Sequence, residues 1–324
     1  MPSVLLIKMS SLGDVVHNLP VVTDLKRSVP DVHVNWVVEE GFAEVPALHP
    51  GVERVIPVAL RRWRRQLLTL RAWHEIGALR QAVRRPHYDL VIDTQGLVKS
   101  ALVAALADGP SAGPDWRSAR EPLASLLYGR TFAVTRDQHA VTRNRELAAH
   151  AFGYKFDATA PDYGLRARIN TDDLAGLPAR YAVCLHGTAR DAKRWPNAHW
   201  VELGRLLAAR NLTPLFSWGN DQEHARSVAI GASIPEVYVP PKRLGLRELP
   251  GILKNADVVV GVDTGLMHLA VALDRPTVAI YVDSWPRLSG AFPRDPARAI
   301  SLGGQGQPPT VDEVAAAISR LGFA

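Results

Sequence analysis

The sequence predicts an α/β protein of two doubly wound domains facing each other across a cleft. Three observations predict it. Short aliphatic and β-branched runs alternate along the chain with stretches whose apolar residues fall at helical spacing, the pattern of parallel sheet covered by helices on both faces. Several of these runs end in turns rich in Gly, Ser, Thr and Asp that lead straight into a helical stretch. The alternation lapses once, over residues 153–178, where Asp, Thr, Gly, Ala and Pro dominate. That lapse places a linker and divides the chain into domains of residues 1–165 and 166–324, the last helix being able to pack back on the first domain. The 324 residues suffice for two cores of ordinary size.

In order, residues 4–7 read as a buried strand. Ser10-Ser11-Leu12-Gly13-Asp14 turns the chain, and Val15, Val16, Leu19, Val22 and Leu25 continue at helical spacing. Pro20 kinks or restarts that helix, because it lacks an amide hydrogen. Residues 32–38 and 54–58 read as strands, 67–83 as a helix, 88–93 as a strand, 97–106 as a helix, 131–134 as a strand and 141–152 as a helix. Gly and Pro make 108–114 a loop. The second half reads as strands at 181–185, 213–217, 237–239, 257–262 and 277–281. Its helices fall at 198–209, 222–232, 246–253, 266–273 and 311–321.

Composition removes several classes. Hydrophobic residues make up 47% and charged residues 22%, values of a folded globular chain. The run at 4–7 is too short for a secretory leader, and no apolar stretch approaches a membrane span. The single cysteine, Cys184, excludes an internal disulfide and a multi-cysteine zinc site, reads as an inert core thiol, and fits a cytoplasmic address. A net charge of +6 suggests anionic partners. Spread arginines and 7% aromatics argue against nucleic acid and for phosphorylated small molecules or a lipid head-group surface.

Four junctions offer chemistry. Asp14 stands where a strand meets a helix, at the crevice where open α/β sheets bind ligands, and reads either as a helix cap or as a base. His186-Gly187-Thr188-Ala189-Arg190-Asp191-Ala192-Lys193-Arg194-Trp195-Pro196 follows a strand with glycine, a hydroxyl and cations suited to an anion, or forms a solvated basic loop. Asp263-Thr264-Gly265 starts a helix after an apolar strand, which aims free amides and about half a positive charge at the crevice, a seat for a diphosphate. Glu223, in the first helical turn after Phe216-Ser217-Trp218-Gly219, could hold ribose hydroxyls. His268 lies one turn into its helix. No Gly-x-Gly-x-x-Gly follows any strand and no Gly-Lys-Ser/Thr loop occurs, which disfavours a dehydrogenase and a P-loop nucleotidase. One Asp-Thr-Gly on an α/β pattern is not an aspartic protease. The absence of an Asp-x-Asp pair or a His/carboxylate cluster predicts no catalytic metal. Arg61-Arg62-Trp63-Arg64-Arg65 is the densest cationic run, either a solvated face or a dock for an anionic acceptor.

These motifs resemble the lipopolysaccharide heptosyltransferases, glycosyltransferase family 9, over nearly the whole chain. The resemblance is carried by residues 10–17, Trp36-Val37-Val38-Glu39-Glu40-Gly41-Phe42, residues 52–57 leading into Arg61-Arg62-Trp63-Arg64, and Asp93-Thr94-Gln95-Gly96-Leu97-Val98-Lys99-Ser100. Residues 120–125 and Asp263-Thr264-Gly265-Leu266-Met267-His268 complete it. It implies a GT-B fold of two Rossmann-like domains and inverting transfer of L-glycero-D-manno-heptose from ADP-heptose, a co-substrate and not a cofactor, to the inner Kdo of Kdo2-lipid A. It implies Asp14 as base, with Ser10, Ser11, Gly13, Arg61, Arg64, Arg65 and Arg120 toward the acceptor. Toward the donor it implies Thr188, Lys193, Thr264, Gly265 and Leu266 at the diphosphate, Glu223 at the ribose, Leu244 at adenine, and Asp263 with His268 at the heptose. The implied partners are ADP-heptose, Kdo2-lipid A and the cytoplasmic face of the inner membrane, with no nucleic acid and no obligate protein partner. Ala189 and Tyr281-Val282-Asp283-Ser284-Trp285-Pro286 depart from the family pattern. The alternatives are addition of the second heptose, as in the heptosyltransferase II branch, and a non-catalytic anion- or nucleotide-binding protein.

Overall fold

The computed structural model describes residues 1–66, 68–165, 176–188 and 190–323. Contacts divide the chain into two units, Met1–Ala167 and Arg168–Ala324. Ala189, residue 67, at which the second helical stretch was expected to begin, and much of the expected linker lie outside the described residues.

The first unit runs β1 (Ser3–Ile7), α1 (Leu12–Val16), α2 (Leu19–Ser28), β2 (His33–Glu39), α3 (Glu44–Ala47), β3 (Val52–Val58), α4 (Leu60–Trp63) and α5 (Leu70–Arg84). It continues with β4 (Leu90–Asp93), α6 (Val98–Leu106), β5 (Ser111–Pro114), β6 (Arg130–Phe132) and α7 (Ala140–Phe152). Its strands are all parallel, in the order β3-β2-β1-β4-β5-β6. The winding reverses between β1 and β4, which makes their carboxyl ends the crevice of the sheet. On one face Leu5 and Ile7 pack with Ala72, Leu79 and Val83 of α5 and Ala101 and Ala104 of α6. A buried Arg145–Asp24 ion pair at 2.7 Å ties α7 to α2.

Two readings are decided here. Pro20 restarts the helix: it sits in the first turn of α2, where no amide donor is needed. The stretch expected as a loop at 108–114 contains strand β5. Its glycine is structural, since a Cβ on Gly113 would stand 2.3 Å from the Tyr128 ring. Glycine in this strand marks a close approach rather than a turn.

The second unit runs β7 (Tyr181–Leu185), α8 (Asn197–Ala209), β8 (Thr213–Phe216), α9 (Asp221–Gly231), α10 (Leu249–Asn255) and β9 (Val258–Val262). Then come α11 (Gly265–Ala272), β10 (Thr277–Tyr281), α12 (Pro286–Ser289), β11 (Ala299–Gly303) and α13 (Val311–Arg320). The parallel order is β11-β10-β9-β7-β8, with the reversal between β7 and β9. The strand expected at 237–239 is a single bridge from Tyr238 to Leu215. Strand β11 was not expected; it lies at the sheet edge and buries little, so it lacks an apolar signal. The last helix buries Val311, Val314, Ala317 and Ile318 in the core of its own unit, with Trp200 and Ile280.

Candidate active site

Each crevice is furnished by the loops its sheet places there. In the first unit the loops after β1 and β4 are stapled together. Lys8 Nζ donates to the Thr94 carbonyl at 2.6 Å and to Asn144 Oδ1 at 3.2 Å. The Met9 amide donates to Gln95 Oε1 at 2.7 Å, and Gln95 Nε2 reaches Ser10 Oγ at 3.4 Å. Asp93, buried under Gln95, accepts from the Gln95 amide at 2.7 Å and from the Tyr128 hydroxyl at 2.6 Å. Burial raises its pKa, opposed by these hydrogen bonds and one from Ser100.

Asp14 stands in the first turn of α1. Its Oδ2 accepts from the Ser11 amide at 2.8 Å and the Ser11 hydroxyl at 3.0 Å, and lies 3.7 Å from Arg120. The cap reading and the base reading are therefore compatible: Ser11 orients the carboxylate, and 28% of the side chain stays exposed. A pocket opens beside it, lined by Lys8, Asp14, Gln95, Arg120, Arg143 and Asn144 among others. Burial pushes the Lys8 pKa down to about 8, with Asp14 and Asp93 resisting. Burial also lowers that of Arg143, helped by Arg136 and Arg120. Three cations around one carboxylate suit this pocket to an anionic group.

The arginine run divides. Arg62 is committed to Glu40 at 3.0 Å and Glu75 at 2.9 Å, and Trp63 is buried with its indole donating to Glu75 at 2.6 Å. The Trp63 hydrogen bond first, then Arg71 and Arg62, hold the Glu75 carboxyl down to about 2. That clamp fixes α4 and leaves Arg61, Arg64 and Arg65 exposed, with Arg61 over the Phe42 ring at 5.5 Å. No described contact joins these three to Arg120, which belongs to the Asp14 pocket.

In the second unit the loop after β7 is pinned by its own tryptophan. Trp195 is fully buried, donates to the Pro309 carbonyl at 2.9 Å and meets Trp200 edge-on at 5.1 Å. Arg226 donates to the His186 carbonyl at 3.2 Å and the Trp195 carbonyl at 2.8 Å, bracing both ends of the loop. Lys193, held between, pairs with Asp263 at the end of β9. Asp263 Oδ1 also lies 3.4 Å from His268 Nε2. Burial opposes ionisation of Asp263, but His268 and Lys193 outweigh it and hold the carboxyl well below the usual range. Thr264 is the N-cap of α11, so Lys193 lies beside the amides that open that helix at Gly265 and Leu266.

Glu223 Oε2 accepts from the Gly219 amide at 2.7 Å. A Cβ on Gly187 would stand 2.8 Å from the Glu223 carboxyl, so glycine is required for the glutamate to rest against the β7 loop. Thr188 is half-buried in that loop. Leu244 is half-buried in the loop before α10, and no described contact ties it to the other donor candidates.

Comparison with known proteins decides the class. A family model described as glycosyltransferase family 9 (heptosyltransferase) matches residues 76–314. The chain belongs to glycosyltransferase family 9. Among family 9 proteins it is 46% identical, over 290 residues, to lipopolysaccharide heptosyltransferase 1 of Escherichia coli strain K12, covering 89% of this chain and 90% of that protein. The structure of the E. coli heptosyltransferase WaaC with ADP superposes with a TM-score of 0.89 at 41% identity, covering 98% of this chain and 99% of that one. WaaC with ADP-2-deoxy-2-fluoro heptose gives 0.87 over the same shares. Identity to lipopolysaccharide heptosyltransferase 2 of Salmonella typhimurium is 23% over 299 residues, which disfavours the second-heptose alternative. The fold is the GT-B type expected.

Sequence reasoning missed Lys8, Gln95, Arg143, Asn144 and Arg226. Lys8 carried a readable signal, a lone cation closing a buried strand. Gln95 stood in the family motif Asp93-Thr94-Gln95-Gly96 with no role given to it, and Arg143, Asn144 and Arg226 carried no signal, because helical Arg and Asn read as solvent-facing until the tertiary fold turns them inward.

Proposed function

We propose that this family 9 enzyme transfers L-glycero-D-manno-heptose from ADP-heptose to the 5-hydroxyl of the inner Kdo of Kdo2-lipid A, with inversion. The observation that carries the reading is the placement of Asp14, partly exposed and oriented by Ser11 in a pocket lined by Lys8, Arg120 and Arg143. The 46% identity to a lipopolysaccharide heptosyltransferase 1 supports it.

In this reading the acceptor oxygen forms its bond to the anomeric carbon as the bond from that carbon to the diphosphate oxygen breaks. The hydroxyl proton passes to Asp14, and ADP departs with the bonding electron pair. By analogy with glycoside hydrolysis the transition state is oxocarbenium-like. Lys193 and the α11 amides meet the charge growing on ADP, so the step needs no metal. Asp263 holds Lys193 in place and, with His268, faces the heptose. Glu223 takes the ribose and Leu244 the adenine, while the cationic pocket takes the acceptor carboxylate.

Among the described residues no helix is long and apolar enough to cross a membrane. We place the enzyme in the cytoplasm, peripheral to the inner membrane that carries its lipid acceptor. The test is ADP release by the purified protein with ADP-heptose and each acceptor in turn. Kdo-terminated lipid should support release, undiminished by a chelator. Release only with heptose-terminated lipid would reassign the acceptor, and none with either would remove the enzymatic reading.

A further inference from the structure

The six exposed large apolar side chains Leu68, Leu70, Trp73, Leu102, Leu123 and Leu126 are more than half of those among the described residues, and all come from one layer of the first unit. Leu68 and Leu70 are 102% and 90% exposed, and Trp73 61%. These are not misplaced core residues. Helix α5 faces the sheet with Ala72, Leu79 and Val83, and at 3.6 residues per turn Leu70 falls opposite that face and Trp73 on its flank. Helix α6 and the 3-10 turn Pro122–Leu127 pack on the same sheet face through Ala101, Ala104 and Ala124, and carry Leu102, Leu123 and Leu126 outward. Soluble proteins seldom group apolar surface in this way without a use for it.

Cations frame the α5 end of the patch. Arg61, Arg64 and Arg65 are exposed just before it, and Arg71 lies within it, 77% exposed. The acidic groups facing them, Glu40 and Glu75, are already paired with Arg62, and Glu75 also with Arg71, so the surface stays positive. Leucine and tryptophan among arginines is the composition that seats at the head-group boundary of an anionic bilayer, the ring at the interface and guanidinium groups on lipid phosphates. A two-fold contact with a second copy would set a surface rich in unpaired arginines against itself, which disfavours self-association.

We propose that the exposed layer formed by the start of α5, α6 and the 122–127 turn seats on an anionic phospholipid bilayer. The proposal rests on the reading that the acceptor is a lipid, and it assigns the surface by which the enzyme reaches it. The bilayer is bound without acceptor or donor.

The experiment is flotation of the full chain with phosphatidylcholine vesicles, with and without phosphatidylglycerol. The native protein should float with phosphatidylglycerol vesicles and lose binding as salt rises. The Leu68→Ser/Leu70→Ser/Trp73→Ser variant should bind at least about tenfold more weakly, while its turnover with a water-soluble, acyl-free Kdo acceptor equals that of the native chain. Native protein that does not float, or a folded triple variant that floats equally, would overturn the proposal. So would a change from dimer to monomer in the variant with no vesicle binding by either. Should the triple variant not fold, Leu70→Cys carrying an environment-sensitive dye replaces it, since the native Cys184 is buried. Its emission should shift to the blue with phosphatidylglycerol vesicles, and an unshifted spectrum counts against the surface. Failure of the soluble-acceptor assay in the native chain would instead sink the transfer reading and leave flotation readable.

Discussion

Asp14 and Asp263 stand in corresponding places, each just beyond a strand that flanks the reversal of its own sheet, yet their surroundings make them different tools. Asp14 keeps 28% of its side chain open and is held by a serine, with the nearest cation at 3.7 Å. Asp263 is 10% open and locked between Lys193 and His268. A carboxylate that is to receive a proton must be reachable and must not already be neutralised by a close ammonium. One that anchors a lysine needs the reverse. The topology supplies two equivalent sites, and the neighbours suit one to proton transfer and the other to holding charge.

The sharpest way to break this contrast is Asp14→Asn. It should lower turnover by about 10²–10⁴-fold while leaving ADP-heptose affinity by calorimetry unchanged; a variant with native turnover would take Asp14 out of the chemistry. Lys193→Ala comes next, with an expected loss of about 10²–10³-fold in kcat/KM, divided between donor affinity and kcat because the ammonium serves both binding and departure. If both parameters hold, the lysine is only a structural partner of Asp263. Gly187→Ala is milder: the added methyl collides with Glu223, and loss of one charge-assisted hydrogen bond to the ribose should raise the donor KM about tenfold with kcat kept. A rise in acceptor KM alone would show that Glu223 does not serve the donor.

The smallest effect is a pH dependence at the Asp14 pocket. Lys8 has its pKa lowered from 10.5 to about 8 by burial. Between those values the unfolded chain holds the proton more tightly than the folded one, so stability rises with pH there, by at most about 1.4 kcal/mol per pH unit. Below pH 8 the cost of the buried charge is present in full. Denaturation from pH 7.5 to 10.5 should show this rise in the native chain and its loss in Lys8→Met. Parallel curves would mean that the ammonium is solvated.

Much of this was legible beforehand, for a physical reason. Buried parallel strands are continuous apolar runs, so β1, β4, β7, β9 and β10 could be read directly, as could the turns at Asp14 and Asp263. Strand β5 could not, because its glycine and proline spell a turn; only the Tyr128 ring lying on Gly113 makes that glycine part of a sheet. The arginine run shows the other limit. Its spacing could not tell that Arg62 and Trp63 serve Glu75 while Arg61, Arg64 and Arg65 face outward, since Glu75 lies on the next helix. Arg143 and Arg226 were hidden because inward-facing charge is a property of the fold and not of the local pattern, whereas Lys8 showed itself as a lone cation closing an apolar run.

The stapling of the β1 and β4 loops has a consequence for how such enzymes diversify. Lys8, Gln95, Asn144 and Ser11 are all drawn from the first unit, as Trp195, Arg226 and His268 are from the second, so each cluster is completed by its own half of the chain, and on the proposed function one half would take the acceptor and the other the donor. A lineage could trade one sugar acceptor for another by rewriting the amino-terminal half alone, with the nucleotide machinery inherited intact. Hybrids joined near residue 167 offer a direct route to new oligosaccharide linkages.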